Sequence, residues 1–80
     1  MRPVAYTGVA ARQRAKLDAK VRARIDAKLE SYARTGQGDV KRLTGREGVR
    51  LRVGDWRVIF YEEGGAVIVA AVGHRREIYD

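Results

Sequence analysis

The sequence predicts an α+β fold in one domain spanning residues 1–80: an N-terminal helical hairpin packed on an antiparallel β-sheet. Three observations carry this reading. Apolar residues recur every four positions in the first half of the chain, they recur every second position after Gly45, and two glycine-bearing turns divide the second half into strands. Eighty residues supply one modest core, whose net stability is expected to be only a few kcal/mol.

Pro3 to Tyr6 reads as a short first strand, with Val4 and Tyr6 on one side and Pro3 tolerable only at its start or on an edge. From about Val9 to Arg34 the period is helical. Leu17, Val21, Ile25 and Leu29 form a stripe continued by Tyr32, and Lys20, Arg22, Arg24, Asp26, Lys28 and Glu30 fill the remaining faces. A single straight helix over these 26 residues would be about 39 Å long, whereas a chain of this length should have a radius of gyration near 12 Å. Asp18 offers an N-cap in the middle, so the expectation is an antiparallel pair, residues 8–16 and 19–34. Thr35-Gly36-Gln37-Gly38-Asp39 ends the helical part.

Beyond Gly45, Val49, Leu51 and Val53 alternate with Arg50 and Arg52, and Trp56, Val58 and Phe60 alternate with Arg57, Ile59 and Tyr61. Gly54-Asp55 is a two-residue hairpin signal, and Glu62-Glu63-Gly64-Gly65 is a second turn leading into Ala66–Val72. A Gly54-Asp55 loop pairs Val53 with Trp56, Arg52 with Arg57, Leu51 with Val58 and Arg50 with Ile59. Val49, Leu51, Val53, Trp56, Val58 and Phe60 then face the helices. Arg50, Arg52 and Arg57 share the other face. A two- or four-residue second turn adds residues 68, 70 and 72 to the arginine face and 67, 69 and 71 to the core, while a three-residue turn exchanges the two sets. In each case His74-Arg75-Arg76 emerges beside the arginines.

Charge points the same way. There are 17 basic and 10 acidic residues, a net charge of +7, and 13 of the basic residues are arginine. Arginine's planar fork suits phosphate, so a nucleic acid or another acidic partner is the class of ligand to consider. The basic positions of the helices, Arg12, Lys16, Lys20, Arg24 and Lys28, read most simply as a solvated face, and Arg22 and Asp26 as an ordinary i,i+4 pair. Trp56 has core parity, and Glu62 and Glu63 read as solubilising turn residues. The arginines of the sheet resist such a reading, because Arg52 directly opposite Arg57 destabilises a strand pair. Such a conflict between folding and charge is where an anion is expected.

The chain contains no cysteine, so no disulfide framework or thiolate metal site is available. It has no metal-ligand spacing, no Ser or Cys nucleophile with a base beside it and no phosphate loop of recognised spacing. No metal or cofactor is expected. Ala66–Val72 is too short to span a bilayer, and Met1-Arg2-Pro3-Val4 does not open a signal peptide, so a cytoplasmic protein without a membrane partner is expected. What remains is charge stabilisation at a phosphodiester by guanidinium groups. With RNA as substrate, the 2′-hydroxyl is an available nucleophile, and His74 and Tyr79 are the side chains able to handle a proton.

The stretches VKRLTGREGVRLRVGDWRVIFY, residues 40–61, and VGHRREIY, residues 72–79, together resemble the RelE/ParE superfamily of type II toxins, and the resemblance extends over essentially the whole chain. It implies a RelE-like, microbial RNase-like fold and a cognate antitoxin as partner. For the RelE branch it implies endoribonuclease activity on mRNA in the ribosomal A site, by attack of the 2′-hydroxyl on the adjacent phosphate. Carried over by position, Arg57 falls on the arginine that contacts the scissile phosphate, Arg75 on the late arginine that assists it and Tyr79 on the near-terminal aromatic. Arg50 and Arg52 fall on the basic strand before the turn, and Arg76 joins them as a substrate-binding candidate. RelE toxins carry lysines on that strand, one as general base. This chain has Gly48 and Arg50 there, and arginine is not deprotonated in proteins, which leaves His74 as the candidate base. The ParE branch implies a different activity on the same fold: inhibition of DNA gyrase through protein binding, with no catalytic constellation.

Overall fold

A computed structural model of the chain describes residues 1–78. Its elements are β1 (Val4–Tyr6), α1 (Gly8–Ala15), α2 (Ala19–Thr35), β2 (Val40–Arg42), β3 (Val49–Val53), β4 (Trp56–Glu63) and β5 (Ala66–His74). The helical segment breaks where the sequence predicts. Asp18 accepts a hydrogen bond from the Lys20 amide as N-cap of α2, and Gly36 ends that helix in the left-handed conformation with φ 75°. Folding the two helices back on each other gives a radius of gyration of 11.4 Å.

The strands form one sheet in the order β1-β5-β4-β3-β2. Two features depart from the sequence reading. The sheet is mixed rather than antiparallel throughout, because the helical hairpin carries the chain away from β1 and the returning β5 lies parallel to it, Val4 beside Val67 and Tyr6 beside Val69. The three-residue strand β2 caps the far edge, pairing Val40 with Leu51 and Arg42 with Val49. The β3–β4 hairpin has the expected register from Arg50–Ile59 to Val53–Trp56.

The helices cover one face of the sheet. Ile25, Leu29 and Ala33 of α2 and Ala10 of α1 bury against Leu51, Val53, Val58, Phe60, Val67, Val69 and Val72, with Leu17, Val21, Tyr32 and Trp56 at the margin. Val67 and Val69 have the core parity expected after a two-residue turn, but Val72 replaces Ala71. The cause is a β-bulge: Phe60 pairs with Val69 and Ile59 with Ala71, so Ala70 is the extra residue. Its backbone needs are met from the other layer. The Thr7 hydroxyl donates to the Ala70 carbonyl at 3.3 Å, and the Val72 amide donates to Gln13 Oε1 at 2.8 Å. The bulge therefore sits where the start of α1 meets β5.

The helices are also tied to β1 by a polar cluster. Arg14 of α1 makes a forked contact to Asp26 of α2, with Nε donating to Oδ1 at 2.9 Å. The Tyr6 hydroxyl donates to the same oxygen at 3.2 Å, and the Arg14 guanidinium lies over the Tyr6 ring. This corrects the expected Arg22–Asp26 pair, since Arg22 instead donates to the Leu17 carbonyl. Across the helix–helix seam Arg14 presents two parallel donors, which an i,i+4 neighbour on an exposed helix does not. The hydrogen bond from Arg14 holds the Asp26 carboxyl below its ordinary value. Burial, followed by the Asp26 charge, pushes Tyr6 up to about 12. Tyr6 therefore stabilises the fold fully below its ordinary pKa near 10, and that contribution is lost as pH rises from there through about 12. Asp26 contributes above its unfolded pKa near 4, and its contribution is lost as pH falls through the lower folded value. An absorbance titration of wild type against Tyr6→Phe should show the missing phenolate appearing only near pH 12. A transition near 10 would mean that the Tyr6 phenol is not held by Asp26 in the folded chain.

The two hairpin turns provide an internal control for backbone strain. Gly54 and Gly64 both have φ 59°, but a Cβ on Gly64 would meet nothing within 4 Å, whereas one on Gly54 would lie 2.9 Å from Nη2 of Arg24. Gly64→Ala is expected to cost about 1–2 kcal/mol, the left-handed penalty alone. Gly54→Ala should cost more by the displacement of Arg24, and the excess should vanish in an Arg24→Ala background when the cycle is measured by urea denaturation.

Candidate functional site

The bare face of the sheet carries an open basin of about 460 Å³ lined by Arg50, Arg57, Arg75, Arg76 and Ile78. Arg50 and Arg57 come from adjacent strands at positions two rungs apart in the predicted register. Gly73 lies opposite Arg57 on β5. A Cβ there would stand 3.0 Å from Cγ1 of Ile78, so glycine leaves the space into which the chain end folds. The fold-back is a single turn after β5, in which the amides of Glu77 and Ile78 both donate to the His74 carbonyl, at 2.8 and 3.1 Å. This turn brings Arg75 and Arg76 to the basin rim.

The hairpin turn positions two of these guanidinium groups. Arg57 Nη1 donates to the carbonyls of Gly54 and Trp56, both at 2.9 Å. The Arg75 amide donates to the Asp55 carbonyl at 2.8 Å, and its Nε stands 3.5 Å from Asp55 Oδ1. The predicted conflict between Arg52 and Arg57 is relieved by separation. Arg52 turns outward to Asp39, Nε to Oδ2 at 2.6 Å, and its amide donates to the Asp39 carbonyl. Asp39 and Asp55 are thus the two carboxylates that arrange this surface. Sequence reasoning assigned neither of them, although Asp55 occupies the turn it identified and Asp39 follows the helix terminator.

Of the seven residues singled out from sequence, four come together: Arg50, Arg57, Arg75 and Arg76 line one basin. Arg52 stands beside it, held by Asp39. His74 does not join the arginines. The bulge reverses the parity of β5 after Ala70, so His74 pairs with Trp56 on the helix-covered side, the two rings edge to face at 5.4 Å. Its Nδ1 accepts a hydrogen bond from the Arg76 amide at 3.2 Å. Tyr79 lies outside the described residues.

The chemistry of the basin is that of fixed positive charge. Arginine is cationic at every accessible pH, so these groups bind an anion and stabilise charge developing on it but cannot take up a proton. Among the described residues there is no cluster of three His, Cys, Asp or Glu side chains that could hold a metal ion. No helix among them is long and apolar enough to cross a membrane.

Solved structures share this architecture. The RelB–RelE antitoxin–toxin complex from Methanococcus jannaschii contains a chain 24% identical, with a TM-score of 0.76 and 94% of each chain covered. The toxin–antitoxin complex RelBE2 from Mycobacterium tuberculosis matches at 24% identity and TM-score 0.78, covering 92% of this chain and 98% of the other. The YoeB dimer from Staphylococcus aureus matches at 17% identity and TM-score 0.76, covering 91% and 95%. At these identities the likeness establishes the fold, two helices on a five-stranded mixed sheet. No curated protein sequence matches the chain. The family model described as the ParE toxin of type II toxin–antitoxin systems, parDE, matches residues 4–79, and the chain therefore belongs to this family within the RelE/ParE superfamily.

Proposed function

We propose that the chain is the toxin of a type II toxin–antitoxin system and acts as a ribosome-dependent endoribonuclease that cleaves mRNA in the A site and so stops translation. The observation that carries the reading is the convergence of Arg50, Arg57, Arg75 and Arg76 on one open basin beside a hairpin turn that holds two of them in place. A phosphodiester in the basin meets guanidinium groups from three directions. Attack of the RNA 2′-oxygen on the adjacent phosphorus forms a cyclic phosphate, breaks the bond to the 5′-oxygen, releases the 2′ proton and returns a proton to the leaving oxygen. In this reading Arg57 neutralises the phosphoryl oxygens, with Arg75 assisting and Arg50 and Arg76 holding the flanking phosphates. His74 stands on the other side of the sheet, so this chain's contribution is charge stabilisation and alignment rather than removal of a proton by His74. The site of action is the cytoplasm, where ribosomes are. A cognate antitoxin is the expected partner, as in the RelB–RelE complexes of the same fold.

One observation favours a second reading: the described basin contains no group that titrates near neutrality, and a ParE-type inhibitor of DNA gyrase needs none. The two separate in a translation-coupled assay with purified protein, programmed ribosomes and a defined mRNA, with the cut ends mapped. Cuts at A-site codons establish the nuclease. Intact mRNA beside an active control, together with inhibition of gyrase supercoiling, establishes the other reading.

A further inference from the structure

The Gly54-Asp55 turn is where cations of the sheet meet a cation of the helices. Arg57 and Arg75 are bonded to it from the basin side. From the other layer, the Arg24 guanidinium of α2 rests against Gly54, with its Nη2, Nη1 and Cζ at 2.9, 3.5 and 3.6 Å from an ideal Cβ there. Arg24 belongs to an exposed stripe with Lys20 and Lys28, spaced four residues and so about 6 Å apart along the helix axis. Among the described residues none of these three is paired with a carboxylate, whereas Arg2, Arg14, Arg34 and Arg52 are held by Glu62, Asp26, Glu30 and Asp39. The unneutralised charge of α2 thus runs to the turn on which the basin is hung.

We infer that the anion bound in the basin continues over this turn onto the Lys20–Arg24–Lys28 stripe, with Arg24 as the bridge, so that the site takes an extended single strand of RNA rather than an isolated phosphodiester. The inference rests on the RNA-binding reading above and extends it. A path from the bare face of the sheet, around a two-residue turn, to the helical face of a body measuring 29 × 28 × 23 Å excludes a smoothly bent duplex, whose persistence length is about 500 Å. A flexible single strand can follow it. The helical stripe, which as sequence reads as a solvated face, then has a ligand because of where Arg24 ends.

The test is binding of a labelled trinucleotide and a labelled dodecamer of single-stranded RNA across a salt series, for the full chain, the Lys20→Gln/Arg24→Gln/Lys28→Gln variant and Arg57→Ala. Each phosphate neutralised on a single strand contributes about 0.7 to the log–log salt slope. The stripe variant should therefore bind the dodecamer with a slope shallower by about 2, equivalent to about 100-fold weaker binding at 0.1 M salt, and bind the trinucleotide unchanged. Arg57→Ala should weaken both. An unchanged dodecamer slope in the stripe variant overturns the track while leaving the basin reading intact. Failure of wild type to bind either strand at low salt overturns the track, and the programmed-ribosome assay then decides the nuclease reading separately. If the stripe substitutions weaken binding of polyglutamate but not of the dodecamer, the stripe is a surface for an acidic protein and the track is overturned.

Discussion

Arg57→Ala is expected to lower mRNA cleavage on programmed ribosomes by about 10²–10³-fold, the usual loss when one preorganised donor to a developing oxyanion is removed, and to leave the fold unchanged. Both halves follow from its surroundings. Its partners are the Gly54 and Trp56 carbonyls, and the exposed Gly54 carbonyl can be served by water once the guanidinium is gone. Its cross-strand neighbour is Arg52, which is already turned away to Asp39, and among the described residues Arg57 is bonded only to carbonyls, so the substitution orphans no carboxylate. The loss in cleavage should therefore appear with an unaltered urea midpoint. Arg52→Ala is the matched control. It releases Asp39 at the β2 edge, so its effect should fall on the edge of the sheet, with cleavage reduced far less. The assay compares mapped cut ends for the three proteins. Full cleavage by Arg57→Ala would mean that the scissile phosphate does not sit in this basin, and arrest of growth by that variant would turn attention to gyrase.

The contrast between Arg57 and His74 shows what sequence can carry. The Arg50–Arg57 neighbourhood was legible because a Gly-Asp loop fixes the register and register fixes parity, rung by rung, over the four pairs from Val53–Trp56 to Arg50–Ile59. Past the second turn the same arithmetic holds only as far as Val69. AVIVAAV contains nothing but apolar residues, so inserting Ala70 as a bulge breaks no pattern, and both Ala71 and Val72 are acceptable core residues by type. The bulge is selected instead by Thr7 and Gln13, which satisfy its backbone from about 60 positions away in sequence, and no local period reports that. Its consequence is chemical, because it moves His74 from the arginine face to the side of Trp56. For a similar reason β2 was missed, since three residues held by one neighbour have no room for an alternating signal. The parallel placement of β1 depends on the return path of the whole chain. The ion pairs were misassigned where the nearest partner in sequence, Arg22 for Asp26, lost to a forked donor from the next helix.

Phe60→Ala is expected to leave most of the protein unfolded at 25 °C. The ring is fully buried and lies 5.0 Å from the Tyr32 ring at 57°. It also stands between Val49 and Val69 on its two neighbouring strands. Truncating a buried phenylalanine to alanine costs about 3–5 kcal/mol, and a core of this size supplies a net stability of the same order. Phe60→Leu keeps the site apolar and largely filled, so it should remain folded with a lowered urea midpoint and an unchanged slope. Phe60 also bounds the bulge, because its pairing with Val69 on the core side is the last rung before Ala70 is left out. If that rung sets the parity of Gly73 and His74, a folded Phe60 variant should lose anion binding in the basin more steeply than its stability alone explains. Oligonucleotide binding by Phe60→Leu, corrected for the folded fraction at each urea concentration, measures this. Binding that tracks the folded fraction one to one would show that the bulge is held by Thr7 and Gln13 without help from the core.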